Sequence, residues 1–228
     1  MLARTRRSTI GRMKIILTGA TGMVGEGVLL ECLANPAVER VLSVSRRPCG
    51  HKHPKLEECL VPDFRDVSPI ESRLSGYDGC FYCAGVSSVG MNEADYTRVT
   101  YETPLAFATT IARLNPNLVL THISGASTDG SEQGSVMWAR VKGKAENALL
   151  RLPLRGVYNF RPGLMKPVAG QKNLKRAYRM VLPLYPLMKL FLPALTLNEV
   201  GRAMIRCVTQ GAPKQVLEVA DIKALGTA

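Results

Sequence analysis

The chain has 228 residues, 46% hydrophobic and 21% charged, with a formal net charge of +12 and a pI near 9.7. This is ordinary globular material, enough for one large core or at most two small domains, and one domain is the simpler expectation. The basic excess suits a polyanionic ligand and solvated surface lysines and arginines; nucleic acid is not expected, because no recognition motif accompanies the charge.

Residues 1–12, MLARTRRSTIGR, are arginine-rich and free of acid. They read as a disordered extension, as a transit peptide, or as residues upstream of a start at Met13, and the sequence leaves the three open. Residues 14–18 form a short apolar, β-branched run of the kind that becomes a strand buried on both faces. A glycine-rich turn follows directly. From Met23 to Ala34 the apolar residues Val24, Val28, Leu29, Cys32 and Leu33 recur at helical spacing, until Asn35-Pro36 stops them. Further strands are expected at 41–44, 56–61, 79–83, 118–124 and 156–160, with helical stretches between most of them. A helix over 198–208 and a short strand near 216–219 close the chain.

Strands alternating with helices define an α/β chain, and parallel strands need right-handed crossovers, so a doubly wound parallel sheet is the expected architecture. Residues 170–197 depart from the alternation. They begin basic, with Lys172, Lys175, Arg176 and Arg179, and become apolar, interrupted by Pro183, Pro186 and Pro193. Three prolines and Lys189 argue against a membrane span. The segment reads as a lid or small C-terminal substrate-side subdomain, with docking on a membrane surface as the alternative. Residues 13–228 then make one domain.

Six cysteines (Cys32, Cys49, Cys59, Cys80, Cys83 and Cys207) lie mostly in apolar segments without regular spacing, so no disulfide framework is expected and the compartment reads as reducing, the cytoplasm. Cys80 and Cys83 form a C-x-x-C without a second pair. They read as core residues, and no metal site is expected.

The turn Gly19-Ala20-Thr21-Gly22-Met23-Val24-Gly25 has dinucleotide-binding spacing, and it sits between a strand and a helix, the context that motif requires. Gly19 permits the tight turn, Gly22 lets the backbone approach a pyrophosphate, and Gly25 allows close packing of helix on strand. Thr21, Met23 and Val24 complete the cradle at the helix amino end. A Rossmann-type sheet is thus expected. About twenty residues further on, where an acidic side chain would bind the ribose diol of NAD, the chain has Ser45-Arg46-Arg47. Arg46 and Arg47 suit a 2′-phosphate, so the expected cofactor is NADP, with NAD as the alternative.

Other residues extend this pattern in order: Asp63-Phe64 after the third strand, Cys83-Ala84-Gly85 after the fourth and Ser124 at the end of the fifth. Val141-Lys142-Gly143 and Arg161-Pro162-Gly163 follow. Together they resemble the atypical and extended short-chain dehydrogenase/reductase superfamily, on its NAD-dependent epimerase/dehydratase-like side near the Tat-interacting-protein branch. The resemblance implies that Asp63, beside Phe64, hydrogen-bonds the adenine amino group and that Ala84-Gly85 pass beneath the adenosine ribose and pyrophosphate. It implies that Pro162-Gly163 border the nicotinamide and that Lys142 holds the nicotinamide-ribose hydroxyls.

One departure bears on the chemistry. Where the family has Y-x-x-x-K, this chain has Trp138-Ala139-Arg140-Val141-Lys142, and an indole N–H donates a hydrogen bond without acting as a general acid near neutral pH. Three readings follow. Ser124, Lys142 and Trp138 could serve an oxidoreductase whose acceptor, a quinone or flavin, needs no tyrosine acid, with Ser124 or Ser127 orienting it. Another donor, Tyr96, Tyr101, His122 or Asp129, could protonate a carbonyl acceptor. Or the chain could be a dinucleotide-binding regulator without turnover. The expected partner is a small-molecule substrate, and the chain a monomer or homodimer.

Overall fold

The computed structural model describes residues 12–174, Tyr185 and residues 193–227. Residues 1–11 of the expected extension, and 175–184 and 186–192 of the expected lid, lie outside the described residues. Seven parallel strands form the central sheet: β1 (Met13–Thr18), β2 (Val38–Ser45), β3 (Leu56–Leu60), β4 (Gly79–Tyr82), β5 (Val119–Ile123), β6 (Gly156–Phe160) and β9 (Val216–Leu217). Their order across the sheet is β3-β2-β1-β4-β5-β6-β9. The chain winds outward from β1 in one direction and then from β4 in the other. The order therefore reverses between β1 and β4, and a crevice opens there beyond the strand carboxyl ends.

Alternation along the strands builds two cores. Ile15 and Leu17 of β1, Phe81 of β4 and Phe160 of β6 face one side, where α1 (Met23–Ala34) and α5 (Leu197–Gln210) bring Val28, Leu29, Val200 and Met204. Ile16, Cys80, Tyr82, Leu120 and Val157 face the other, packed with Phe107 and Ile111 of α3 (Thr103–Leu114) and Leu149 of α4 (Met137–Leu150). Because both faces are covered, the strands read as apolar runs without polar alternation.

Two features of the helical layer set up the crevice. Helix α2 (Glu93–Thr97), capped by the Asn92 side chain on the Asp95 amide, continues into α3 through a π-helical turn at Arg98–Glu102. Pro104 has no N–H for the Thr100 carbonyl, so the ladder widens there and the Thr103 amide bonds instead to Arg98 O. Helix α4 lies close against the loop after β5, and a Cβ at Gly143 would collide with the Asp129 carbonyl.

A second, two-stranded sheet was not foreseen: β7 (Leu164–Lys166) pairs with β8 (Ala194–Thr196). Regular structure thus resumes inside the expected 170–197 segment, since Thr196 and Glu199 form a capping box that starts α5 at Leu197. The final α6 (Val219–Thr227) was also unforeseen, and begins where the sequence suggested the last strand would end. No helix among the described residues is long and apolar enough to cross a membrane.

Two outcomes follow from this packing. Gly143→Ala should destabilise the protein by roughly 1–3 kcal/mol, read as a fall in Tm of about 2–4 °C for each kcal/mol. His122 on β5 is buried, with Nδ1 2.9 Å from Asn159 Oδ1 on β6. Burial, and then the nearby Lys142 cation, push its pKa down to about 4. The unfolded chain therefore binds the proton first, and stability should be full above about pH 6.5 and decline as the pH falls toward 4. Urea unfolding across this range should show a shallower decline for His122→Gln than for the wild type.

Candidate functional site

The crevice is organised by contact between the glycine turn and the end of β4. Thr18 Oγ1 accepts hydrogen bonds from the Cys83 and Ala84 amides, both at 3.2 Å, locking the two strand ends together. Gly19 has φ +77°, and a Cβ there would lie 2.6 Å from Cys83 and Ala84 backbone atoms. A Cβ on Gly25 would strike the Gly19 carbonyl, so α1 can start this close to β1 only with glycine at that place. Gly22 caps α1 without a side-chain hydrogen bond, leaving the amides after Thr21, at Met23 and Val24, turned outward at the positive end of the helix. At Gly85 a Cβ would meet nothing within 4 Å. The turn, the free amides and this open space fit a dinucleotide.

Beside them lies a cavity of about 240 Å³, lined by Arg46, Asp63, Phe64, Ala84 and Gly85, together with Arg65 and Arg98. The structure thus brings together five residues that the sequence singled out, and adds two arginines. Arg47 is not among the lining residues; its carbonyl accepts the Ser45 hydroxyl at 2.7 Å. Asp63 is engaged by Arg65, whose Nη2 lies at 2.7 Å and whose amide lies at 2.9 Å. These hydrogen bonds hold its carboxyl below the usual range. Arg65 was visible two residues beyond Asp63; Arg98 is delivered only by the π-helical turn.

At the far end of the crevice, Lys142 Nζ donates to the Ser124 carbonyl at 3.2 Å. Burial pushes the Lys142 pKa down, and Glu146, one turn further along α4, opposes that shift. Glu146 is itself buried and gripped by Arg161, with Nε at 3.0 Å and Nη2 at 2.6 Å, while Arg161 Nη1 reaches Glu218 at 3.1 Å. Trp138 stands one turn before Lys142, partly exposed. Pro162 accepts the Ala126 amide, and a Cβ on Gly163 would press on the Pro193 carbonyl, so this turn joins the Ser124 loop to β8.

Ser124 Oγ is 3.1 Å from Thr128 Oγ1, which donates its own proton to the Gly125 carbonyl at 2.7 Å. The serine proton therefore goes to Thr128, and Ser124 Oγ keeps its lone pairs. The alternative donors are otherwise engaged. His122 is buried and neutral, giving its Nδ1 proton to Asn159. Asp129 is ionised, anchoring its turn through Ser131 and Gly134. Tyr101 lies under Lys144, two residues from Lys142 and so on another face of α4. Tyr96 is 1% exposed. Ser127, at φ +64°, is exposed at the tip of the loop.

A further residue carried no signal in the sequence. Glu26, in the first turn of α1, is fully buried. Its carboxylate accepts from His51 Nε2 at 2.7 Å and from the amides of Lys172 and Asn173 at 2.6 and 2.8 Å. Gln171 Nε2 also donates to the Met23 carbonyl at 2.7 Å. The start of the expected lid is thereby strapped across the first turn of the glycine-turn helix.

Comparison with known proteins agrees with this geometry. The chain is similar, at 29% identity over 169 residues, to the mitochondrial protein fmp52 of Emericella nidulans, covering 71% of this chain and 70% of that protein. It is similar at 28% identity over 144 residues to the leucinostatins biosynthesis cluster protein T of Purpureocillium lilacinum; the match covers 61% of this chain and 52% of that protein, so it spans about half of that relative. Among solved structures, the Bordetella bronchiseptica enzyme WbmG in complex with NAD superposes with a TM-score of 0.69 at 13% identity, over 94% of this chain and 74% of that one. The enzyme WbmF of the same organism, in complex with NAD+, gives 0.68 at 16% identity, over 96% and 78%. These structural likenesses share the fold. With more than half of its length matched, over residues 15–139, the chain belongs to the NAD dependent epimerase/dehydratase family.

Proposed function

We propose that the chain is an NADP(H)-dependent oxidoreductase that transfers a hydride to a small organic acceptor. The observation that carries the reading is the cavity beside the glycine turn, where Arg46, Arg65 and Arg98 converge and the one carboxylate, Asp63, is already engaged by Arg65. A 2′-phosphate there would meet guanidinium groups able to bond it in pairs, and no free acid to repel it. The solved relatives named above carry NAD, so the preference rests on this chain's own arginines.

The nicotinamide, when bound, supplies the hydride. Lys142 holds the ribose hydroxyls beside it, and its buried ammonium offsets negative charge that develops on the acceptor. Ser124, whose proton is committed to Thr128, orients the acceptor through its lone pairs and does not protonate it. Trp138 offers at most a hydrogen bond. Acceptors whose reduced anion is delocalised and weakly basic, quinones and flavins, suit these groups; the alkoxide of a simple ketone does not. A second reading, a dinucleotide-binding regulator without turnover, is favoured by Trp138 alone.

NADPH should bind more tightly than NADH in calorimetric titrations, and Arg46→Ala should cost on the order of 1.5–3 kcal/mol with NADPH and little with NADH. Equal affinities in the wild type would remove the assignment. With saturating NADPH, the wild type should reduce a quinone or flavin and leave simple ketones untouched, while Trp138→Tyr should gain ketone reduction. Reduction of no acceptor by either form, followed as NADPH oxidation at the nicotinamide absorbance, would support the regulator.

A further inference from the structure

At the opposite edge of the sheet, a cleft of about 580 Å³ opens beside the amino end of β1, next to Asp78, and reaches the carboxyl ends of α1 and α5. β1 is six residues long, so roughly 20 Å separates this cleft from the glycine turn. Four arginines line it, Arg12, Arg155, Arg202 and Arg206, against one acid, Asp78. Its volume lies within the range of small-molecule sites.

Helix carboxyl ends disfavour anions, each acting as about half a negative charge, so the ends that meet here must be counted. Each carries a cationic cap. Lys55 Nζ donates to the Asn35 carbonyl at the end of α1, at 2.7 Å; Arg155 Nη2 donates to Val208 O in the last turn of α5, at 2.9 Å; and Arg206 donates to Leu225 O in the last turn of α6. Asp78 is partly occupied by the Lys14 amide at 2.7 Å. Five cations thus outweigh three helix ends and one carboxylate. Arg155 and Arg206 each commit part of a guanidinium to a carbonyl, which fixes the side chain and leaves other N–H groups to donate. Arg12 and Arg202 make no hydrogen bond or ion pair among the described residues, and both are exposed.

We propose that this cleft is a binding site for a phosphate-bearing ligand, held by Arg12, Arg155, Arg202 and Arg206 and separate from the dinucleotide crevice. Planar guanidinium forks match phosphate oxygens in pairs, and the anchored Arg155 and Arg206 need little ordering to do so. A soluble phosphate ester and a phospholipid headgroup present the same chemistry, so the test separates the two sources.

Inorganic pyrophosphate is titrated by calorimetry at low ionic strength into the wild type, Arg46→Ala and Arg202→Ala, each with and without NADPH. We expect binding that persists with NADPH present, is unchanged in Arg46→Ala, and weakens roughly tenfold in the exposed-site variant Arg202→Ala. NADPH affinity should be unaltered in Arg202→Ala. In a parallel arm, wild type and Arg202→Glu are sedimented with phosphatidylcholine vesicles, plain or containing phosphatidic acid. Sedimentation only with phosphatidic acid, lost in Arg202→Glu and displaced by pyrophosphate, assigns the headgroup as the source. Pyrophosphate binding without sedimentation assigns a soluble ester. No pyrophosphate binding, or binding that Arg46→Ala removes and Arg202→Ala spares, overturns the proposal. So does vesicle binding unaffected by Arg202→Glu, or displacement by duplex DNA where pyrophosphate has no effect.

Discussion

The glycine turn can exist only because nothing stands between it and the end of β4. Gly19 lies against the Cys83 and Ala84 backbone, Gly25 lies against the Gly19 carbonyl, and the Thr18 hydroxyl ties both strand ends with two hydrogen bonds. Backbone groups are packed here at distances that a single Cβ would break. That contact places the amino end of α1, with its unshared amides, over the point where the sheet order reverses. Everything arranged around the crevice, from the arginine-lined cavity to the Ser124 loop, takes its position from this approach.

Two buried carboxylates then tie distant segments to the crevice. Glu146 holds Arg161 of the turn after β6 while lying one helical turn from Lys142, so the same charge that orders the turn keeps a cation in a desolvated place. Glu26 collects His51 from the loop after β2 and two amides from the strap that leaves β7. A carboxylate out of water is tolerated only with its oxygens fully bonded, and removing either set of donors would strand a buried charge. Glu26 thereby holds segments more than a hundred residues apart to one geometry, and Glu146 does the same for α4 and the turn after β6.

The polar groups around the crevice are also ordered by their neighbours. A threonine that must give its proton to a carbonyl decides which way the Ser124 hydroxyl points, and a π-helical turn forced by Pro104 decides that Arg98 reaches the cavity. Neither effect belongs to the residue alone. Arg46 and Arg47 make the same point: adjacent, identical in chemistry, and divided between cavity and surface by the curl of the chain after β2.

The sequence by itself determined the parallel sheet, because strands buried on both faces are continuous apolar runs such as residues 14–18, and the helices between them carry their own period. It also determined the glycine turn, since only glycine satisfies the close contacts at Gly19 and Gly25 and its spacing is local. It showed the order of Asp63, Ala84-Gly85, Ser124 and Lys142, which follow successive strands to one edge of the sheet. It did not show β7 pairing with β8 or the strap on Glu26, because those pairings join residues far apart in the chain and leave no periodic trace. Which arginine lines the cavity, which way a serine proton turns, and whether His122 is charged depend on burial and on partners brought from other strands. These are properties of the folded neighbourhood, and only the tertiary structure could decide them.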